Sequence, residues 1–340
     1  MPVPPPDLNR AFIEQLALGF PDQDLLRQAF EYDPGDVRGT AAASTNHRTG
    51  LQYHHFVQKA MRTEQQAGRS HRVTARSRPL HRSLPKWVSW LCETYPFTFT
   101  PSGAVVKKLL DGTVDPDNMR PTADFSWGKD CCPLSEMVLS PNGSIDVKAL
   151  PHFEWFRLRH FIEQVHYLKQ FGLPLECNKV DFSKFYRHFV LVAAAVPSHM
   201  QIWTDEEDGT HLVKDDRMNF GDAAAANISS RLTGLVVWCL HLVTDKLCPV
   251  ALAAADTSKA SPRWRRLINW YKRVHQLREE GYDIEDPVLH FTNLFIDDTP
   301  GVQIAGLGRA VLALFTALLS LFNLDVQAKK LLPEGNFTTR

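Results

Sequence analysis

The stretch Asn293-Leu294-Phe295-Ile296-Asp297-Asp298 decides how this chain is read. An apolar run delivers two adjacent carboxylates, and Thr299-Pro300-Gly301 follows with turn chemistry before a second apolar run begins at Val302. This predicts a strand over 288–296, a second over 302–305, and Asp297-Asp298 at the tip of the hairpin between them. Adjacent like charges repel, and nothing structural requires both. A divalent cation relieves the repulsion, because Mg2+ prefers hard oxygen ligands and keeps waters for substrate phosphates. The same dipeptide recurs at Asp215-Asp216, but in the polar setting Val213-Lys214-Asp215-Asp216-Arg217-Met218-Asn219, where a solvated loop is expected. That second pair is an internal control.

Outward from the hairpin, helical periodicity appears four times. Leu158, Phe161, Ile162, Val165 and Leu168 form one apolar stripe, and Ile228, Leu232, Leu235, Val236 and Cys239 a second. Leu267, Trp270, Tyr271, Val274 and Leu277 form a third, and the fourth lies over 309–322. A strand is predicted over 179–185, and the alternating run 96–108 reads as a strand or hairpin. Before residue 85 the chain is loop-rich, with short helical patches over 7–18, 22–30 and 51–67. No internal repeat is visible. The order helix, strand, long helix, helix, hairpin, helix predicts an α+β domain with a small antiparallel sheet backed by helices.

Composition agrees with that class: 340 residues, 44% hydrophobic and 22% charged, are enough to bury a real core. Thirty-eight basic and thirty-eight acidic residues cancel, so net charge gives no sign of a nucleic-acid partner. Distribution is more informative. Arg62, Arg69, Arg72, Arg76, Arg78, Arg82 and Lys86 have Glu64 as the only acid among them, which reads as a phosphate-facing strip or as a solvated linker. Six cysteines without a CxxC point to unpaired, mostly buried thiols in a reduced intracellular protein, cytoplasmic or nuclear. The proline-rich N-terminus has no secretion signal. The apolar stretch 304–322 is interrupted by Arg309 and falls short of the ~20 residues a membrane span needs. A buried or amphipathic helix is expected there, with no stable membrane association.

A third carboxylate gives the aspartate pair its chemical meaning. Asp181 lies near the start of the strand predicted over 179–185, where an aspartate by itself is a cap or turn residue. Together, one strand aspartate and an aspartate pair on a neighbouring hairpin can hold two metal ions. One activates an attacking hydroxyl and the other steadies a leaving pyrophosphate. Phosphoryl transfer of this kind needs positioning and charge neutralisation more than a side-chain nucleophile.

Several stretches, in order, resemble the reverse transcriptase family. Lys179-Val180-Asp181-Phe182-Ser183-Lys184-Phe185-Tyr186-Arg187-His188-Phe189 resembles the motif supplying the first catalytic aspartate. The run from Phe220 to Trp238 is similar to the glycine-containing turn and long helix beside template and nucleotide, and 293–298 resembles the aromatic-x-Asp-Asp hairpin. Upstream, 100–108 and 119–126 look like the two fingers strands; downstream, 325–335 looks like the lysine-bearing segment. Asp181 stands about forty residues before Phe220, and Asp298 about thirty before Lys329. Phrases such as Ser102-Gly103-Ala104-Val105 and Phe220-Gly221-Asp222-Ala223 are most similar to retrotransposons of the tyrosine-recombinase (DIRS-like) type.

The resemblance implies a right-hand polymerase with fingers and palm, acting on an RNA or DNA primer-template with deoxynucleoside triphosphates. Asp181, Asp297 and Asp298 would ligate two Mg2+ ions (Mn2+ in their place), with the carbonyl of Phe182 contributing to one. Tyr186 would exclude a ribose 2′-OH. Lys107 and Arg120 would grip the triphosphate, and Phe220 with Gly221 would let the backbone approach the nucleotide. Lys330 or Lys329 would protonate the departing pyrophosphate. The implied organisation is a loop-rich extension with the basic strip over 1–90, a fingers-like region over 91–175 and a palm-like region over 176–340.

The sequence departs from the family in two places. An expanded segment over 248–286 contains a basic helix, read either as an insertion lying on nucleic acid or as a solvated amphipathic helix with an aromatic core stripe. The chain stops at Arg340, soon after the lysine segment, so the thumb is expected to be absent or incomplete and the hold on primer-template weak. Two functional readings follow: an RNA-directed DNA polymerase, or an inactive retroelement remnant that binds nucleic acid or another protein. A helical scaffold with a membrane-associated C-terminal segment is a third, unrelated reading.

Overall fold

The computed structural model describes residues 10–16, 47–73, 99–109, 111–115, 119–126, 142, 145, 147–152, 154–191, 199–205, 209–258, 260–296, 298–326 and 332–336. The described helices are α1 (Arg10–Leu16), α2 (Arg48–Gln52), α3 (His54–Gln66), α4 (Leu158–Lys169), α5 (Ala225–Ala254), α6 (Pro262–Glu279) and α7 (Gly308–Leu321). The described strands are β1 (Ser70–Val73), β2 (Phe99–Thr100), β3 (Ser102–Val105), β4 (Arg120–Ala123), β5 (Leu175–Asp181), β6 (Met200–Asp205), β7 (Gly209–Asp215), β8 (His290–Thr292), β9 (Asp298–Ile304) and β10 (Leu332–Asn336). The chain is therefore α+β, as its periodicities predict. It forms two compact units interleaved along the sequence rather than consecutive segments. The first comprises Met1–Asp7, Asp24–Pro151 and Tyr186–Ile228, and the second Leu8–Gln23, His152–Phe185 and Ser229–Arg340.

In the first unit, one sheet has the strand order β1-β7-β6-β2, antiparallel except for the parallel pair β2–β6, and β3 with β4 makes a separate antiparallel ribbon. Val57 and Met61 of α3 bury their apolar face against Ala104 and Val213. Each such side chain taken from water contributes about 1.5–3 kcal/mol.

In the second unit, the sheet β10-β5-β9-β8 is antiparallel throughout. Cross-strand register divides its side chains between two faces, because successive residues alternate. One face carries Glu176, Val180, His290 and Gln303. It is backed by α5, whose Thr244 hydroxyl meets His290 Nε2 at 3.0 Å, and by α6, whose Arg263 reaches Glu176 at 3.4 Å. The opposite face carries Lys179, Asp181, Asp298 and Phe291, with Tyr167 of α4 edge-on to Phe291 at 5.7 Å.

All four predicted helices form, but their stripes are not equally covered. In α6, Ser261 caps the N-terminus by accepting from the Trp264 N–H, Pro262 occupies the first turn, and Leu267, Ile268 and Tyr271 are buried while Arg265, Arg266, Lys272 and Arg273 are exposed. The helix is therefore amphipathic, with Tyr271 on its buried side. In α7, Val311, Phe315 and Leu319 are buried, and the helix has 14 residues. In α4, only Leu168 is fully covered, and Leu158 and Ile162 are exposed.

Two expectations need correction. β5 begins at Leu175 and ends at Asp181, so this aspartate closes a strand instead of opening one. Thr299-Pro300-Gly301 lies inside β9. The Pro300 carbonyl accepts from the Asn293 N–H at 2.8 Å, so its missing N–H faces the rung just beyond the end of β8 and costs a single ladder bond. The long helix α5, rather than the stretch 304–322, is the one described helix long and apolar enough by length and composition to cross a membrane, a test that the core helix of a folded protein also passes. Its Leu232, Leu235, Val236 and Leu240 are fully buried within the protein.

Candidate active site

The turn joining β8 to β9 is tighter than its sequence predicts. Phe295 and Asp298 exchange both backbone hydrogen bonds, at 2.8 and 2.9 Å, so the hairpin closes between them. Ile296 has φ 58°, a left-handed value that a β-branched residue adopts only at a cost of roughly 1–2 kcal/mol. Strain of this kind concentrates where the surrounding structure has a chemical reason to hold it. Asp297 lies outside the described residues.

Because Asp298 spends its N–H and C=O on Phe295, its pairing with Asp181 on β5 is of the non-hydrogen-bonded type. Such partners sit about 4.5 Å apart at Cα, with side chains directed to the same face. Two carboxylates directly opposite one another are unfavourable unless a cation intervenes. One cation is present: Lys179, two residues before Asp181 and on the same face, places Nζ 2.8 Å from Asp298 Oδ2. Asp181 is buried, at 3% exposure, whereas the Asp298 side chain is 30% exposed. Phe182 is buried and stacks on Phe185 with ring centroids 4.7 Å apart, and the Ser183 N–H donates to the Asp325 carbonyl. Facing carboxylates with hard oxygen donors are a donor set that fits a divalent cation such as Mg2+ or Mn2+. Among the described residues no group of three or more metal-ligating side chains occurs. Lys329 and Lys330 lie outside those residues.

Tyr186, Phe220, Gly221, Lys107 and Arg120 fall in the first unit, where Tyr186 and Phe220 meet while Lys107 and Arg120 lie at the end of the β3–β4 ribbon away from Gly221. Tyr186, half-buried, and Phe220, 61% exposed, have ring centroids 5.9 Å apart at 52°. Gly221 has φ 107°, and a Cβ there would stand 2.8 Å from the Ala123 carbonyl of β4. Glycine is therefore required because the turn lies directly on the β3–β4 ribbon. Asn142 holds the same turn, donating to the Gly221 carbonyl at 2.8 Å and accepting from the Ala223 N–H at 2.8 Å. Arg120 opens β4 opposite Val105, two residues before Lys107, so both basic positions lie at one end of the ribbon. Lys107 is half-buried, and its carbonyl accepts from the Asp115 N–H. The side chain of Arg120 is outside the described set.

The internal control behaves against expectation. Asp215 is not in a solvated loop; it ends β7 with 4% of its side chain exposed. Arg187 grips it with both terminal nitrogens, Nη1 to Oδ2 at 2.9 Å and Nη2 to Oδ1 at 2.7 Å, and also donates to Glu64 at 3.1 Å. Gln201 and Asn219 donate to Asp215 as well. Burial works against the charge on Arg187, but Asp215 and then Glu64 outweigh it and raise the guanidinium pKa above its ordinary value. Glu64 also pairs with Arg69 at 2.6 Å, so Arg69, only 6% exposed, does not contribute to a phosphate-facing strip. Arg76, Arg78, Arg82 and Lys86 are outside the described residues. The sequence offered one unused signal for this network: Arg187 interrupts the aromatic run Phe185-Tyr186-Arg187-His188-Phe189, where a cation is forced inward and must find acids.

Cys177, Cys239 and Cys248 are free thiols, and burial pushes Cys177 and Cys239 up to about 11. They are poor nucleophiles and poor metal ligands. No protein-family model matches the chain, and no curated protein matches it in sequence.

Proposed function

We propose that the chain is a reverse transcriptase-type polymerase core, of the tyrosine-recombinase retrotransposon type, that adds deoxynucleotides to a primer 3′-OH on an RNA or DNA template. The observation that carries this reading is the register that faces Asp181 with Asp298, beside the left-handed backbone of Ile296. Asp181, Asp297, Asp298 and the Phe182 carbonyl would hold two Mg2+ ions, or Mn2+. When bound, such ions neutralise charge on the attacking and leaving oxygens. Tyr186 would close off the space of a ribose 2′-OH, and the exposed ring of Phe220 offers a stacking surface for a base. Lys107 and Arg120 would bind the triphosphate, and Lys330 or Lys329 would give a proton to the leaving pyrophosphate. Fingers-like and palm-like roles for the two units, and action in the cytoplasm or nucleus, belong to the same proposal.

The test is primer extension on an RNA template with Mg2+ or Mn2+. Extension by the wild type that is lost in Asp297→Asn supports the reading; no difference between the two under either metal removes it. Tyr186→Ala should accept ribonucleotides more readily, and unchanged sugar selectivity would exclude Tyr186 from that role.

Lys179 favours a second reading. Its ammonium already satisfies one Asp298 oxygen, so the carboxylate pair is partly neutralised without metal. On that reading the fold is a remnant that binds nucleic acid or another protein without catalysis. Salt-sensitive RNA or DNA binding that is indifferent to divalent metal would support it.

A further inference from the structure

Resting on the reading of Tyr186 and Phe220 as nucleotide contacts, we propose that Arg187 and Asn219 are positioning residues that set the separation of those two rings. Arg187 follows Tyr186 in sequence, and Asn219 precedes Phe220. Their side chains meet directly: Arg187 Nη1 donates to Asn219 Oδ1 at 2.6 Å, and Asn219 Nδ2 donates to Asp215 Oδ2 at 2.7 Å. The same guanidinium nitrogen reaches the carbonyls of Arg217 and Met218 at 3.3 and 3.4 Å. Backbone pairing reinforces the link, through the bridge between Val190 and Arg217 and the bond from the Met218 N–H to the Phe189 carbonyl. The two ring-bearing segments are thus tied just after Tyr186 and just before Phe220.

Geometry is what this network supplies. A buried ion pair is by itself weak evidence for stability, since apolar replacements are often as stable. A planar fork, however, fixes direction as well as distance, and a lysine ammonium cannot occupy Asp215, Glu64 and Asn219 at once. Phe220 remains largely in solvent, so its location owes little to packing around the ring itself. Its backbone is held instead by Asn219 on one side and by the Asn142 clamp on Gly221 on the other. A large apolar ring held in place yet left exposed is poised for a ligand.

The experiment uses the full chain and single-nucleotide incorporation on a primed RNA template, with KM and kcat measured for a deoxynucleotide and the matching ribonucleotide. Asn219→Ala cuts the link to the turn while leaving the Arg187–Asp215 pair. It should raise KM for the deoxynucleotide about tenfold, change kcat less, and reduce discrimination against the ribonucleotide about tenfold. Arg187→Lys should act in the same direction and more strongly. A merely structural role would lower the melting temperature without moving the sugar ratio. Unchanged KM and sugar discrimination in folded Asn219→Ala overturns the positioning role, whatever the melting temperature. Should Arg187→Lys fail to fold, Asn219→Ala decides. A wild type that uses neither nucleotide overturns the polymerase reading and the positioning role with it, a pattern distinct from a wild type that incorporates normally beside an indifferent Asn219→Ala.

Discussion

Asp215-Asp216 and Asp297-Asp298 carry the same two side chains, yet Asp215 is enclosed by donors while Asp298 faces another acid. Asp215 receives Arg187, Gln201, Asn219 and the Arg217 N–H. Asp298 has Asp181 opposite it and Lys179 alongside. The flanking residues suggest the reverse, with polar neighbours around the first pair and apolar ones before the second. Local polarity is a poor guide to an ionised group's surroundings, because the partner that decides its fate can lie far away in sequence: Arg187 is 28 positions from Asp215. The first pair has its charge satisfied by the fold. In the second, two carboxylates face each other across the ladder, with the Lys179 ammonium on Asp298.

The largest expected effect separates the pairs by activity. Asp298→Asn should lower primer extension by on the order of a thousand-fold. Its unfolding free energy should stay within about 1 kcal/mol of wild type, because removing one of two facing charges also removes a repulsion. Asp215→Ala should do the opposite to stability. It strands a buried guanidinium and should cost about 3–5 kcal/mol in urea unfolding. If Asp215→Ala were as stable as Asp298→Asn, the contrast between a structural and a chemical pair would collapse.

How much of this was legible can be judged from particular elements. The helices α4 to α7 follow from apolar periodicity, because that signal is local. Strand limits were harder. β5 mixes polar and apolar residues on both faces, since Glu176 is buried against Arg263 and Asp181 lies on the opposite face, so no clean alternation marks its start. β6 drew no expectation, and the end of β7 was read as part of a solvated loop. Pro300-Gly301 reads as a turn, and only the position of the missing N–H makes it acceptable within β9. Of the candidate site, the motif order brought Asp181 and Asp298 to facing positions and Tyr186 to Phe220. The Arg187–Asp215–Asn219 network was missed because its parts are scattered and none has a motif.

The unit bearing Asp298 should also be acid-sensitive in a way that can be isolated. His290, on the face of its sheet opposite the aspartates, is pushed down to about 3 by burial and then by His241, whose own pKa burial also lowers despite Asp245. A histidine depressed on folding contributes stability that is present above its ordinary value of 6.5 and is lost as pH falls through the window from 6.5 towards 3. The unfolded chain takes up the proton first, so acid favours unfolding. From His290 alone the loss between pH 8 and pH 5 is about 2 kcal/mol. Urea unfolding at the two pH values should show it, and His290→Gln should flatten the difference. A difference that persists in that variant would place the acid sensitivity elsewhere.

The smallest effect tests the comparison inside the first pair. Asp216 adjoins Asp215 but has a quarter of its side chain exposed, with His71 Nε2 at 2.8 Å and Lys214 Nζ at 3.3 Å as partners. Those partners are themselves largely open to water, at 48% and 41% side-chain exposure, so solvent screens both contacts. Exposed pairs of this kind contribute about 0–1 kcal/mol. Asp216→Asn should therefore change the urea midpoint little, and added salt should shrink the change further. A loss comparable to that of Asp215→Ala would mean that the two aspartates act as one buried unit. The distinction would then lie between the two dipeptides as wholes, and not in what each individual carboxylate meets.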